Sequence, residues 1–169
     1  YVTTDGRPIL VSVEGIDFEN MLASGLSRLG GLSPLVGGTP SVLIKPNCNA
    51  TDIYPGISSA DSVAAVVSAA RAATAGAVLV GDQGYHRSSD VYSHMGLEDA
   101  VTSAGGALIT FLPAEAYAVR RETWDTEFPD VWVYREVYDS PAIISLASLK
   151  RHHAAVMTCA LKNNVGAIW

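Results

Sequence analysis

Apolar and polar positions along this chain repeat at two different periods, and the changes of period mark out its elements. Residues 9–13 (Ile-Leu-Val-Ser-Val) read as a first short strand. Over Phe18–Leu29, Met21, Leu22, Leu26 and Leu29 recur at the three- and four-residue spacing of a helix with one buried stripe. The glycines and prolines of residues 30–40 predict a loop. Ser41–Lys45 is a second strand, an apolar run closed by a lysine and turned by Pro46-Asn47-Cys48-Asn49. Residues 61–75, rich in alanine and valine, predict a helix capped by Ser58, Ser59 or Asp61. Ala77–Val80 is a third strand, ended by Gly81-Asp82-Gln83-Gly84. A helix over 96–104 and a strand over 107–112 follow. Residues 113–130 are mixed and charged and read as an excursion. The alternation of 131–138 suits an edge strand, 141–146 another apolar strand, and 154–162 a closing helix.

Alternating strands and helices, with strands apolar along their whole length, imply an α/β fold: a doubly wound, mostly parallel sheet with helices on both faces. No repeat or low-complexity linker divides residues 1–169, so one α/β domain is expected. In such a sheet, ligands bind beyond the carboxyl ends of the strands.

Composition narrows the function. Of 169 residues, 49% are hydrophobic and 17% charged, which excludes disorder. No apolar run approaches the ~18 residues of a membrane span. A net charge of −6 argues against nucleic acid as a partner. Two cysteines, Cys48 and Cys159, make neither a disulfide scaffold nor a metal cluster. So low a charge suggests that part of the surface is covered, by a protein partner, a second copy or polypeptide outside this chain. The first residue is Tyr1 and the last four, Gly166-Ala167-Ile168-Trp169, have no charge. The chain therefore reads as a processed or partial product, cytoplasmic or exported after removal of a signal.

Candidate chemistry follows the lysines, of which there are three: Lys45, Lys150 and Lys162. Each stands beside an apolar or glycine-rich segment instead of being scattered over the surface. Lys45 with Asn47 at a strand end could hold a carboxylate or phosphate, or could form a salt bridge beside an Asx turn. Gly81 and Gly84 allow close backbone approach, and Asp82 between them could bind a metal, orient a histidine or cap the next turn. Lys150-Arg151-His152-His153 would crowd positive charge at a helix start, a conflict that an anion or nearby acids would relieve. A metal site built from histidines, including His86 and His94, lacks any recognisable spacing. Cys159 reads as a packed small hydrophobe, whereas Cys48 beside a lysine could have a lowered thiol pKa. The aromatic residues of 117–138 suit packing or a partner surface.

Together these segments resemble a prokaryotic family known as domain of unknown function 362. The resemblance lies in Val42-Leu43-Ile44-Lys45-Pro46-Asn47, Ser58-Ser59, Val80-Gly81-Asp82, Leu149-Lys150-Arg151-His152 and Ala160-Leu161-Lys162-Asn163 with Gly166. It spans about residues 41–166 and corresponds to the N-terminal half of the family domain. It implies an α/β domain, in many relatives joined to a ferredoxin-like iron–sulfur module, with no general reaction and no cofactor assigned. Ala147 and Ser148 stand where the family often has Pro-Lys, and Val165 where an aromatic residue is usual. No cysteine-rich cluster motif is present in this chain.

The leading expectation is a small anionic ligand at the strand-end rim, in an enzyme that could be redox-associated. Lys45, Asn47, Gly81, Gly84, Lys150, Lys162 and Asn163 would bind it, while His152 would act as acid–base and Asp82 as its partner in catalysis. The competing expectation is a structural or interaction subunit without catalysis, in a homo-oligomer or with a protein partner.

Overall fold

The computed structural model describes residues 1–84, 86–120, 130–152 and 155–169. Helix α1 (Phe18–Leu29) starts where the Asp17 carboxylate accepts the Asn20 N–H at 2.9 Å, and ends at Gly30, whose φ of 87° suits glycine. A short helix, α2 (Ser33–Val36), interrupts the expected loop and leads into β1 (Ser41–Lys45). Val42, Leu43 and Ile44 of β1 are all fully buried, which requires cover on both faces of the sheet.

Next come α3 (Ala60–Ala73), β2 (Ala77–Val80), α4 (Ser88–Met95), α5 (Leu97–Ser103) and β3 (Ala107–Leu108). An excursion follows through β4 (Tyr117–Arg120), β5 (Asp130–Val133) and the one-turn α6 (Arg135–Tyr138) before β6 (Ile143–Ser145). The sheet order is β3-β2-β1-β6, with every neighbour parallel. The chain thus steps outward from β1 on one side and returns to it on the other. On one face, Val63, Val66 and Val67 of α3 meet Ile44, Val78 and Val80, with Val91, Leu97 and Val101 of the next two helices beside them. Phe18 and Leu22 of α1 back this layer. On the other face Leu43 packs on Phe111 and Tyr134, with Val137 of α6 against the cluster. Those two rings lie 5.3 Å apart. The architecture is α/β with a parallel sheet, as the pattern implied.

Ser59 opens α3, its hydroxyl accepting the Ser62 N–H at 3.2 Å. Ser59→Ala should cost about 1 kcal/mol, read as a lower urea midpoint with an unchanged slope.

The final stretch departs from expectation. In place of a helix over 154–162 there is an antiparallel hairpin of β7 (Lys150–His152) and β8 (Val156–Thr158), and only α7 (Ala160–Asn163) is helical. A short apolar run fits either period, and here the hairpin's ladder decided. The chain ends by adding to β5: Ile168 bridges Val133, and the Trp169 N–H donates to the Trp132 carbonyl at 2.9 Å. Residues 9–13 form no strand: they join neither edge of the four-stranded sheet, and Leu10 stands exposed. The strand expected over 107–112 is limited to Ala107 and Leu108, which pair with Leu79 and Val80, and that over 131–138 turns helical after Tyr134. Helix α4 was not expected. The expectations for Tyr85, residues 121–129, His153 and Ala154 fall outside the described residues. Among the described residues no helix is long and apolar enough to cross a membrane.

Candidate functional site at the sheet's carboxyl edge

Strand β1 delivers Lys45 to the edge of the sheet, and the turn after β2 delivers Asp82 beside it. The two form a buried ion pair, with side chains 1% and 3% exposed. The other Asp82 oxygen accepts the Cys48 N–H at 2.7 Å. Its main chain is fixed as well: the Asp82 N–H donates to the Tyr92 hydroxyl at 2.8 Å, and Ser88 Oγ donates to its carbonyl at 2.9 Å. Burial raises the Asp82 pKa, against the opposing pull of Lys45 and the Cys48 N–H. The arrangement realises the salt bridge weighed for Lys45, while the cap position of α4 belongs to Arg87.

This pair stands at the floor of a cavity of about 390 Å³. Asn47, Gly84, Lys150, His152, Lys162 and Asn163 line it too, so eight of the nine expected site residues share one space. Gly81 does not. A Cβ there would lie 2.7 Å from the Phe111 ring, so this glycine serves packing behind the sheet. Gly84 permits close backbone approach to Asn49, where a Cβ would meet the Asn49 carbonyl at 2.6 Å.

The two asparagines brace the loops. Asn47 Nδ2 donates to the Gly56 carbonyl at 3.1 Å and Ser148 Oγ at 3.3 Å. Asn163 Nδ2 donates to the Lys45 carbonyl at 3.0 Å and Ser145 Oγ at 3.1 Å, fastening α7 to the ends of β1 and β6. Lys150 also donates to the Gly56 carbonyl. Desolvation depresses the Lys150 pKa, and the like charge of Lys162 adds to this, while Asp52 opposes it. His152 Nδ1 accepts the Ala155 N–H at 3.1 Å, so the neutral ring carries its proton on Nε2.

The remaining wall was not foreseen. Tyr134, Val165, Ile168 and Trp169 line the cavity as well. The turn Asn164–Ala167 brings Gly166 onto the ion pair, where a Cβ would stand 2.6 Å from Asp82 Oδ1 and 2.9 Å from Lys45 Nζ. Gly166 after Lys162-Asn163 was the one signal for this wall visible in the sequence.

Two expectations are corrected. Lys150 and His152 lie on a strand, so no helix terminus adds positive charge there and that argument for an anion lapses. Cys48 is buried beside Asp82, and desolvation pushes its thiol pKa far up, the reverse of an activated nucleophile. His86 and His94 lie off this cavity; His94 lines a smaller one of about 200 Å³ with Asp52, Ile53 and Tyr54. Among the described residues no three His, Cys, Asp or Glu side chains are grouped to hold a metal.

The protein is thus of the α/β class with a parallel sheet, and its cavity opens at the carboxyl ends of β1 and β2, beside the point where the strand order reverses. The family model described as Domain of unknown function (DUF362) matches residues 42–169, and the chain belongs to that family. Neither the curated proteins nor the solved structures gave a match.

Proposed function

We propose that the cavity binds a small anionic ligand, held chiefly by Lys150 and Lys162. One observation supports this above the others. All three lysines of an acidic chain line a single cavity, while among the described residues Asp82 is the only acidic side chain lining it and is matched to Lys45. Among the described residues no carboxylate lies within ion-pair distance of Lys150 or Lys162; Asp52 acts on Lys150 only from farther off. His152 lines the same space and adds an imidazole, a group able to move a proton near neutrality. The braced asparagines and the Lys45–Asp82 pair keep the floor in place.

Titration calorimetry with phosphate- and carboxylate-bearing metabolites tests the reading. Lys150→Ala and Lys162→Ala should each weaken binding by about tenfold or more, as expected for a charge-assisted contact of roughly 1.5–3 kcal/mol. Equal affinity in parent and variants would end it. The pH dependence has a definite sign. The ammonium form of Lys150 is needed, and its pKa is depressed in the unliganded protein. Affinity should therefore begin to fall as pH rises at values below those of an ordinary lysine near 10.5.

A second reading, as a subunit of an assembly, draws on Leu149, Val156, Met157 and Leu161, all well exposed on and beside the terminal hairpin. Light scattering on the purified protein distinguishes the two, since a stable monomer that binds anions counts against assembly.

A further inference from the structure

The cavity's lining divides by chemistry as well as by chain segment. Strand ends, the β7–β8 hairpin and α7 supply cations and amides, whereas the segment after α7 supplies an apolar wall ending in Trp169. That tryptophan is held firmly. Its N–H donates to the Trp132 carbonyl at 2.9 Å, and Ile168 before it bridges Val133. The Tyr134 N–H donates to the Ala167 carbonyl at 3.1 Å, so three successive residues are pinned along β5. The Trp169 ring meets Trp132 edge to face, centroids 6.5 Å apart and planes at 88°. Despite these constraints, Trp169 remains 67% exposed while lining the cavity that contains Lys150 and Lys162. A large ring fixed through its backbone and left open is a surface on which another ring can stack at little entropic cost.

We infer that the ligand is an anion bearing a planar aromatic or heteroaromatic ring, with the ring against Trp169 and the anionic group on Lys150 and Lys162. This rests on the anion reading above and specifies its substrate class. An aliphatic anion would leave Trp169 without a partner in the cavity. An uncharged aromatic molecule would leave the two ammonium groups unmatched.

The test uses three probes on the intact chain: inorganic phosphate, glycerol phosphate and phenyl phosphate, each titrated by calorimetry and by tryptophan fluorescence. Phenyl phosphate should bind roughly tenfold more tightly than glycerol phosphate, the scale of one ring stacked on an aromatic side chain. Trp169→Ala should abolish that advantage and leave the affinity for inorganic phosphate within about twofold, while Trp169→Phe should retain part of it. Quenching on addition of phenyl phosphate should persist in Trp132→Phe and be lost in Trp169→Phe. Equal binding of the two esters by the parent protein, or an advantage that survives in Trp169→Ala, overturns the ring assignment and leaves anion binding intact. Failure of all three probes to bind, together with failure of benzoate and acetate, removes the anion reading and this inference together.

Discussion

Asp82→Ala should lower the stability of the protein by about 3–5 kcal/mol, the usual cost of removing one partner from a buried ion pair. At roughly 2–4 °C per kcal/mol for a chain of this size, the melting temperature should fall by on the order of 10 °C. The loss comes less from the missing attraction than from what is left behind. Lys45 is 1% exposed, and without its carboxylate an ammonium would remain buried and uncompensated. Asp82 also satisfies the Cys48 N–H, which would lose its acceptor. A double variant, Lys45→Met with Asp82→Leu, should recover most of the stability, because a well-filled apolar pair has no charge to desolvate. Chemical denaturation of the three variants checks this. A loss below about 1 kcal/mol in Asp82→Ala would mean that water reaches the pair, and the account of the cavity floor would be wrong.

Gly166→Ala is the second large effect expected. The added methyl carbon would meet Asp82 Oδ1 at 2.6 Å and Lys45 Nζ at 2.9 Å, with the Gln83 carbonyl closer still. That carbonyl belongs to the backbone and the ion pair is enclosed, so neither side can yield cheaply. The turn Asn164–Ala167 must withdraw, taking Val165, Ile168 and Trp169 away from the cavity. Overpacking of this kind costs about 1–3 kcal/mol, and anion affinity should fall at least as much as in Lys162→Ala. Gly38→Ala is the control, since its Cβ would meet nothing within 4 Å and its φ is unremarkable for any residue. Its stability should stay within about 0.5 kcal/mol of the parent. If Gly166→Ala behaved like Gly38→Ala in both assays, the terminal turn would not be a wall of the site.

The parts of this molecule legible in its sequence are those where local pattern and tertiary environment agree. Phe18–Leu29 is a helix with the bounds its spacing predicts, and Ser41–Lys45 and Ala77–Val80 are strands because continuous apolar runs belong in a sheet covered on both sides. The place of Lys45 was legible too, since a lysine closing a strand of a parallel sheet must come to the sheet's carboxyl edge, whereas Lys150 and Lys162 reach it by way of the hairpin and α7. Helix α4 escaped notice because Ser88-Ser89-Asp90 reads as a loop until Val91, Tyr92 and Met95 are seen on one face, with Gly96 as its stop. The hairpin Lys150–Thr158 escaped because its pairing, Lys150 with Thr158 and His152 with Val156, is a property of two short segments together. The apolar wall was hidden for a related reason. Nothing near Trp169 in the chain shows that Trp132 will be its neighbour.

The return of the chain from β3 to β6, on the far side of β1, bears on how the fold is reached. Leu43 pairs with Ile143, and Asn163 clasps Lys45 across 118 positions of chain. Contacts so distant along the polypeptide carry a larger loop-closure cost than those joining β1, α3 and β2, and are expected to form after them. Lys45 and Asp82 both belong to that early portion, so they can meet while water still reaches them. On that order, the dehydration of the pair is expected as the closing act, when the turn carrying Gly166 folds down over it.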